Sequence, residues 1–337
     1  MKRTRLAALI AALLALILLF AGCTGTGTDN TKPDNGNSDA TAKPAATEPG
    51  SKDEDATHPP AKENVAKIIL IMGQSNAVGA SMYSPLKDIL DTETYEFWRK
   101  QGTDNIRIVY HAGETTATNY RSNLDNQTVL KLFDKVRFGK SLTGAQFGLE
   151  VGIAEYLRKA HPDDTYYLIK VARGGEPIDP KFIEGGELFE RAISITEGCI
   201  SVMKREGMNP EICAICWMQG ENEALSMPMA KTYRTKLETL AESLRRRLAE
   251  YAPYGGIPFI DGGISTYWAC HETVNQAKKE FAETSDINYF IDSMSLGLTY
   301  DKEPAGNPDL AHFDSESMYI LGQEFGKYVD MAYEKVK

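Results

Sequence analysis

Cysteine is scarce in this chain, with five among 337 residues. That is too few to staple a fold of such length, so stability has to come from a packed core. Histidine is equally scarce, five in all, which leaves few candidates for any role that needs a group titrating near neutrality. Positive charge is in deficit: 37 Lys and Arg stand against 47 Asp and Glu, a formal net charge of −10. No nucleic-acid partner is expected, since phosphate-neutralising cations supply most of that affinity. No H-E-x-x-H, no Walker loop and no G-x-G-x-x-G is present, which argues against a zinc protease, a P-loop ATPase and a dinucleotide enzyme. Neither a metal site nor a cofactor is expected. A composition of 42% hydrophobic and 25% charged residues excludes a collagen or a low-complexity polymer and suits one large domain or two modest ones.

The first 23 residues read as an address. Lys2, Arg3 and Arg5 precede an uncharged apolar run from Leu6 to Phe20, and Ala21-Gly22-Cys23 follows. Fifteen apolar residues fall short of the ~20 a membrane span needs but suit a secretory signal. Small residues ending at a cysteine resemble a bacterial lipobox, in which Cys23 is lipidated and becomes the new N-terminus. Phe20 departs from that pattern, since Leu is usual there; simple cleavage after Gly22 and an uncleaved anchor are the alternatives. From Thr24 to Asn64 there is no Val, Ile, Leu, Met, Phe, Tyr or Trp. With nothing to bury, this stretch cannot offset the entropy of ordering and is expected to be a disordered linker. As a flexible coil of about 41 residues its mean reach is ~35 Å, a tether holding a domain off a membrane. The expected organisation is therefore signal peptide 1–23, linker 24–64 and folded domain 65–337, placed outside the cytoplasm as a bacterial membrane lipoprotein or a secreted protein. The sequence is silent on oligomeric state.

The folded part alternates strand and helix patterns. Lys67–Met72 is an apolar run of the kind buried on both faces, and similar runs recur at Tyr166–Val171, Ile212–Trp217, Ile257–Ile260 and Asn288–Ile291. Helical spacing appears at Leu149, Ile153, Leu157 and Ala160, at Met229 through Leu248, and at Met318, Leu321, Phe325 and Val329. The second of these carries Arg245, Arg246 and Arg247 on or near its solvated side, and Asp314 or Ser315 is placed to cap the last helix. The fold class expected is α/β, a three-layer α/β/α sandwich around a central parallel sheet, because parallel strands need crossovers. Val78–Phe147 lacks clear periodicity and begins at a strand's carboxyl end, where ligands of open α/β sheets sit, so it is expected to wall a site.

Four polar, glycine-containing segments fall at predicted strand ends or just before the last helix. Gly73-Gln74-Ser75-Asn76 follows the first strand, with Gly73 allowing a sharp turn and the Ser75 N–H free to face a developing oxyanion. Arg173-Gly174-Gly175-Glu176 ends the second and offers another backbone donor. Trp217-Met218-Gln219-Gly220-Glu221-Asn222-Glu223 ends the third with amides and carboxylates. Asp309-Leu310-Ala311-His312 precedes the last helix. A serine hydroxyl is a weak nucleophile at neutral pH and needs a base, usually His, held in one tautomer by a carboxylate. A turn capped by Ser75 and a surface His beside an Asp cap are the non-catalytic readings of the same residues. Together, however, all four segments converge on one sheet edge.

These segments, with Phe147-Gly148-Leu149-Glu150, carry a resemblance over roughly residues 65–335. In this order they resemble the sialate O-acetylesterase-like branch of the SGNH hydrolases, which includes the acetylxylan esterases of carbohydrate esterase family six. The resemblance implies a serine esterase that removes O-acetyl groups from carbohydrate, with Ser75 as nucleophile, His312 as base and Asp309 as the acid orienting it. Glu221 is a second or substitute acid. The oxyanion hole it implies comprises the N–H groups of Ser75 and of Gly174 or Gly175, with Gln219 contributing a side chain. Gln74, Asn76, Arg173 and Asn222 are the candidate substrate contacts, with a substrate carboxylate or a structural ion pair as the alternatives for Arg173. Leu149 stands where Pro is common, Glu176 where Thr often follows the glycine pair, and Asn222-Glu223 where Ser/Ala-Asp is frequent. A carbohydrate-binding lipoprotein without turnover is the rival reading, but a pure binder has no need of the serine, histidine and aspartate. A lipase or thioesterase would need an apolar acyl groove that the polar Val78–Phe147 segment does not offer.

Weaker signals complete the reading. Cys213 and Cys216 point to opposite strand faces and are two buried thiols rather than metal ligands. Cys199 and Cys270 are free to pair in an oxidising compartment. Trp98, Trp268, Tyr83, Tyr110, Tyr120 and Tyr267 are candidates for sugar stacking or for core packing.

Overall fold

The structure, a computed structural model, describes residues 63–113 and 118–337. The expectations for the signal segment 1–23, for lipidation at Cys23 and for nearly all of the linker 24–64 fall outside those residues. Six strands form a parallel sheet: β1 (Val65–Gly73), β2 (Ile106–Ala112), β3 (Tyr166–Ala172), β4 (Asn209–Met218), β5 (Phe259–Gly262) and β6 (Asn288–Ile291). Their order across the sheet is β2-β3-β1-β4-β5-β6, and a two-residue strand, Asp134–Lys135, runs antiparallel along β2 at the edge. β1 lies at the centre, and Ile68 through Met72 are fully buried, as an apolar run inserted between two layers must be.

The register aligns the strand ends. Gly73 is opposite Ala172 on one side and Met218 on the other, Ala112 is opposite Ala172, and Gly262 is opposite Ile291. The loops that leave these residues therefore emerge along one rim, the edge where open parallel sheets bind ligands.

Five main helices cover the sheet: α1 (Leu149–Ala160), α2 (Glu187–Arg205), α3 (Tyr233–Arg247), α4 (His271–Ala282) and α5 (Ser315–Val336). Alternation along β4 and β5 separates the two faces. On one, Met218 and Gly262 meet Phe325 of α5, and α1 is fastened to α5 by His161 Nε2 and Asp330 Oδ1 at 2.6 Å. On the other, Trp217 packs on Phe182 with centroids 4.9 Å apart, Phe259 packs on Phe281 of α4 at 5.4 Å, and the Trp217 indole donates to the Tyr233 hydroxyl at 3.2 Å. This is the three-layer α/β/α sandwich expected from the alternating pattern.

Several details differ from the sequence reading. The segment Val78–Phe147 contains β2, a seven-residue strand between polar stretches whose composition hides it. It also contains Ser81–Met82, which pairs with Gln146–Phe147 and closes the segment on itself. The helix read as Met229–Leu248 is broken at Thr232 into Met227–Lys231 and α3. Arg245 does not face solvent: its guanidinium donates to Ile257 O at 2.9 Å and Asn288 Oδ1 at 2.7 Å, tying α3 to the start of β5 and β6. Asp314 does not cap α5 through its side chain. Instead Glu303 accepts from the Ser315 N–H at 2.9 Å, while Asp314 Oδ1 accepts from Glu303 N at 2.9 Å. Cys199, Cys213, Cys216 and Cys270 are all free thiols, so the Cys199–Cys270 pairing is not formed.

The polar segment is held to the sheet by a charge in the interior. Lys170 of β3 is fully buried, and its ammonium donates to Val78 O, Lys140 O and Glu150 Oε2 at 2.9, 2.8 and 2.9 Å. Three acceptors match its three protons, so nothing is left unpaired. Burial pushes the Lys170 ammonium pKa down, and Glu150 opposes that shift. Glu150 in turn accepts from the Gly148 N–H at 3.0 Å, which explains why a carboxylate stands in the Phe-Gly-Leu-Glu segment. Replacing Lys170 with Met removes the counter-charge of the buried Glu150 and a donor from Val78 O and Lys140 O, leaving Glu150 only the Gly148 N–H and Val78 O only the Ser141 hydroxyl. We expect a loss of ~3–5 kcal/mol in denaturant unfolding; an unchanged midpoint would show that the pair does not anchor the segment.

Candidate active site

The turn after β1 begins at Gly73, whose φ of +141° and close approach to Met218 O, 1.9 Å from where a Cβ would stand, admit no other residue. The chain then enters one helical turn, Ser75–Val78. As the first residue of that turn, Ser75 has an N–H with no intrahelical acceptor. Gly174, on the loop after β3, lies against Ser75, with its hypothetical Cβ 3.5 Å from Ser75 Cβ. Ser75 is partly buried at the rim.

The other half of the site comes from the loop between β6 and α5. Asp314 N bonds Thr299 O at 2.9 Å and closes residues 299–314 into a loop, within which Asp309 N bonds Glu303 O at 2.8 Å. His312 Nδ1 lies 2.6 Å from Asp309 Oδ2. That bond places the imidazole proton on Nδ1 and leaves Nε2 as an acceptor.

Asn76 joins the halves. It is 2% exposed; its Oδ1 accepts from the Phe313 N–H at 3.2 Å, and its Nδ2 donates to Glu221 Oε1 at 2.7 Å. Ser81 Oγ adds a bond to Phe313 O at 2.7 Å. The neighbour of Ser75 thus holds the neighbour of His312, although 237 residues separate the bonded pair Asn76 and Phe313.

Several predicted contacts have other partners. Asn76 spends both ends of its amide on protein, so it is a scaffold residue rather than a substrate contact. Glu221 is fully buried and bonds Asn76; the carboxylate on His312 is that of Asp309. Burial pushes the Glu221 carboxyl pKa up, opposed first by Asn76 and more weakly by Lys278 and His312. Gln219 is also fully buried, and its amide donates to Glu176 O at 3.2 Å and to Glu223 Oε2, so both donors are committed away from an oxyanion. Asn222 N donates to Gln74 Oε1 at 3.3 Å and Asn222 Nδ2 to Gly175 O at 2.7 Å, which binds the three loops to one another. Arg173 is bidentate to Glu187 at 2.7 and 2.9 Å and also bonds Glu176 at 2.7 Å, leaving its fork no free edge for a substrate carboxylate. The Arg173 guanidinium holds the Glu187 carboxyl down at about 2.

Structure adds residues that the linear chain concealed. Glu223 accepts from Ile178 N at 2.7 Å and fixes the end of the glycine loop. Asp261 and Lys278, both fully buried, pair at 2.5 Å behind Glu221; burial pushes Asp261 up to about 7 while Lys278 opposes it. His111, at the end of β2, meets Arg191 at 2.7 Å. Burial, then Arg191 and Arg173, push its pKa down, so the neutral ring accepts from the guanidinium. The only prior hint of these was the number of carboxylates in the Glu221–Glu223 segment. Trp98 is in the core, donating to Glu155 Oε2 at 2.7 Å, which removes it from the sugar-stacking candidates. No cluster of metal-ligating side chains occurs among the described residues.

Residues 65–330 match the family described as carbohydrate esterase, sialic acid-specific acetylesterase. Among solved structures, a protein from Arabidopsis thaliana is 18% identical with a TM-score of 0.55, covering 79% of this chain and 98% of that one. NanS is 14% identical with the same TM-score, covering 81% and 98%. A carbohydrate acetylesterase from Xanthomonas citri is 14% identical with a TM-score of 0.48, covering 80% and 57%. The first two likenesses establish a shared fold. No curated protein matches the chain.

Asn76→Ala removes the bridge and leaves the buried Glu221 carboxyl without its hydrogen bond. We expect a loss of ~1–3 kcal/mol in stability and faster amide hydrogen exchange at Phe313 than at residues of α5. Unchanged protection at Phe313 would mean that Asn76 does not hold the loop.

Proposed function

The chain belongs to the carbohydrate esterase family described as sialic acid-specific acetylesterase, and on that premise we propose that it is a serine esterase cleaving O-acetyl groups from carbohydrate through an acyl-serine intermediate. The observation that carries the mechanism is the 2.6 Å bond between His312 Nδ1 and Asp309 Oδ2 on a loop that Asn76 holds beside Ser75. With Nδ1 occupied, Nε2 accepts the Ser75 hydroxyl proton as Oγ attacks the acetyl carbonyl carbon. The carbonyl oxygen becomes an oxyanion next to the Ser75 N–H and the backbone of Gly174 and Gly175, donors fixed before the charge develops. Collapse breaks the bond from carbon to the sugar oxygen, and His312 returns the proton to that oxygen. Water then attacks the acetyl-serine, giving up a proton to His312, and acetate leaves as Ser75 recovers its hydrogen.

In this reading Asp309 orients the base and stabilises the imidazolium, and Glu221 is a positioning residue acting through Asn76. The order of effects in a mutant series follows. Ser75→Ala is expected to lower acetate release from acetylated glycan at least ~10³-fold with the fold retained. Asp309→Asn is expected to lower kcat by ~10²–10⁴-fold, since the wrong tautomer is favoured. Glu221→Gln keeps an acceptor for Asn76 and is expected to stay within about tenfold of the parent, as one preserved neutral hydrogen bond requires. A larger loss for Glu221→Gln than for Asp309→Asn would exchange the two roles.

The reading also places the enzyme outside the cytoplasm, tethered through a lipid on Cys23 and the polar stretch that follows. Supporting it are the charged start, the apolar run and the small residues before that cysteine. Among the described residues no helix is long and apolar enough to cross a membrane. Cys23→Ser is expected to move the protein from the membrane to the soluble fraction of expressing bacteria; continued sedimentation with membranes would contradict lipid anchoring.

A further inference from the structure

The rim has an unequal pair of walls. On the β2 and β3 side, Arg173, Glu187, Arg191 and His111 form a closed charge network. On the β5 side stands a group of aromatic rings that the mechanism does not use. Tyr267 is 47% exposed, yet its ring is fixed on two sides: edge to face with Trp268 at 5.2 Å, and tilted against Tyr300 at 6.3 Å. The Tyr300 hydroxyl bonds Thr266 Oγ1 at 2.8 Å.

This cluster is attached to two of the loops that build the site. Tyr300 follows Thr299, whose carbonyl closes the His312 loop through Asp314 N at 2.9 Å. The other end of the aromatic segment is fixed where Cys270 N bonds Ala224 O at 2.9 Å, three residues from Glu221. Asn275 of α4 locks the start of the same segment, accepting from Ile264 N and donating to Ile264 O, both at 2.9 Å. The buried Trp268 Nε1 has no hydrogen-bond partner, and an unpaired buried donor is rare enough to need a reason. A rigid, exposed aromatic face costs little entropy to bind with. β5 is two strands from β1, so by interstrand spacing the segment begins ~10 Å along the rim from the Ser75 turn. An oligosaccharide laid along the rim from the serine toward β5 runs to this aromatic segment.

We propose that Tyr267, braced by Trp268 and Tyr300, is a stacking subsite for the sugar ring adjoining the acetylated one, so that the substrate class is an O-acetylated oligosaccharide rather than a free monosaccharide. The apolar C–H face of a pyranose packs on the phenol ring, and the hydroxyls on its edge remain available to Thr266 and solvent. This inference rests on the acetylesterase reading above.

The test compares the full-length chain with Tyr267→Ala and Tyr267→Phe on O-acetylated xylohexaose, O-acetylated sialyllactose and 4-nitrophenyl acetate. The expected result for Tyr267→Ala is a fall of about tenfold in the ratio of kcat/KM on the preferred oligosaccharide to kcat/KM on the nitrophenyl ester, carried by KM. Tyr267→Phe is expected to restore the ratio to within about threefold, because stacking needs the ring and not the hydroxyl. An unchanged ratio in Tyr267→Ala, with the parent active on an oligosaccharide, overturns the subsite. Calorimetric titration of unacetylated xylohexaose and sialyllactose into Ser75→Ala, with and without Tyr267→Ala, separates the two claims. If the parent releases no acetate but binds an oligosaccharide in a Tyr267-dependent way, the esterase reading fails and the subsite stands. If neither oligosaccharide binds and neither is hydrolysed, the subsite falls.

Discussion

Asn76 is the constraint on which the site depends. Its carbonyl oxygen holds the amide of Phe313 and its amide nitrogen holds the carboxyl of Glu221, so one short side chain joins the turn after β1, the loop after β4 and the loop before α5. A nucleophile and a base far apart in sequence can work together only if their separation is fixed to fractions of an ångström. A backbone hydrogen bond next to each of them is an economical way to fix it, because it leaves both reactive side chains free. The arrangement also explains why Glu221 is buried. A carboxyl shielded from water is an expensive group to keep, and here its hydrogen bond orients the residue beside the nucleophile.

The remaining buried charges extend the same logic outward from the sheet. Lys170 with Glu150 fastens the long polar segment under the Ser75 turn, and Asp261 with Lys278 lies behind Glu221. Neither pair is favourable merely because it is a salt bridge, since desolvation consumes most of the attraction. What the first does is hold loop carbonyls to a strand where apolar packing alone would leave them short of a donor, and the second ties α4 to β5. The Ser75 turn is thereby anchored, through Val78 O, to the interior of the sheet.

Strand and helix periodicity made the sandwich legible in advance because burial on two faces leaves an unbroken apolar run, as at Ile68–Met72. β2 was not legible for the opposite reason: Arg107 and Tyr110 keep partial contact with the surface, and the polar residues on either side dilute its signal. Ser75 at the end of β1 and the Asp309–His312 pair before α5 were readable as candidates from residue type and placement. The roles of Gln219, Asn76 and Arg173 were not, since a polar side chain at a rim is equally able to face substrate or another loop. Only the third dimension reveals that Glu223, Glu221 and Glu187 lie within bonding distance of these side chains. Which of Asp309 and Glu221 would lie against His312 was likewise open in one dimension, and the loop folds a three-residue offset into a hydrogen bond with Asp309.

The central claim is that one serine, activated by an oriented imidazole, is the reacting group. Its most direct test is covalent trapping with a fluorophosphonate followed by peptide mass spectrometry of the intact, active chain. The account predicts a single adduct on the peptide containing Ser75, formed stoichiometrically with loss of activity and abolished by His312→Ala. Complete inactivation with the label on another serine, or full activity in a chain labelled at Ser75, would contradict it.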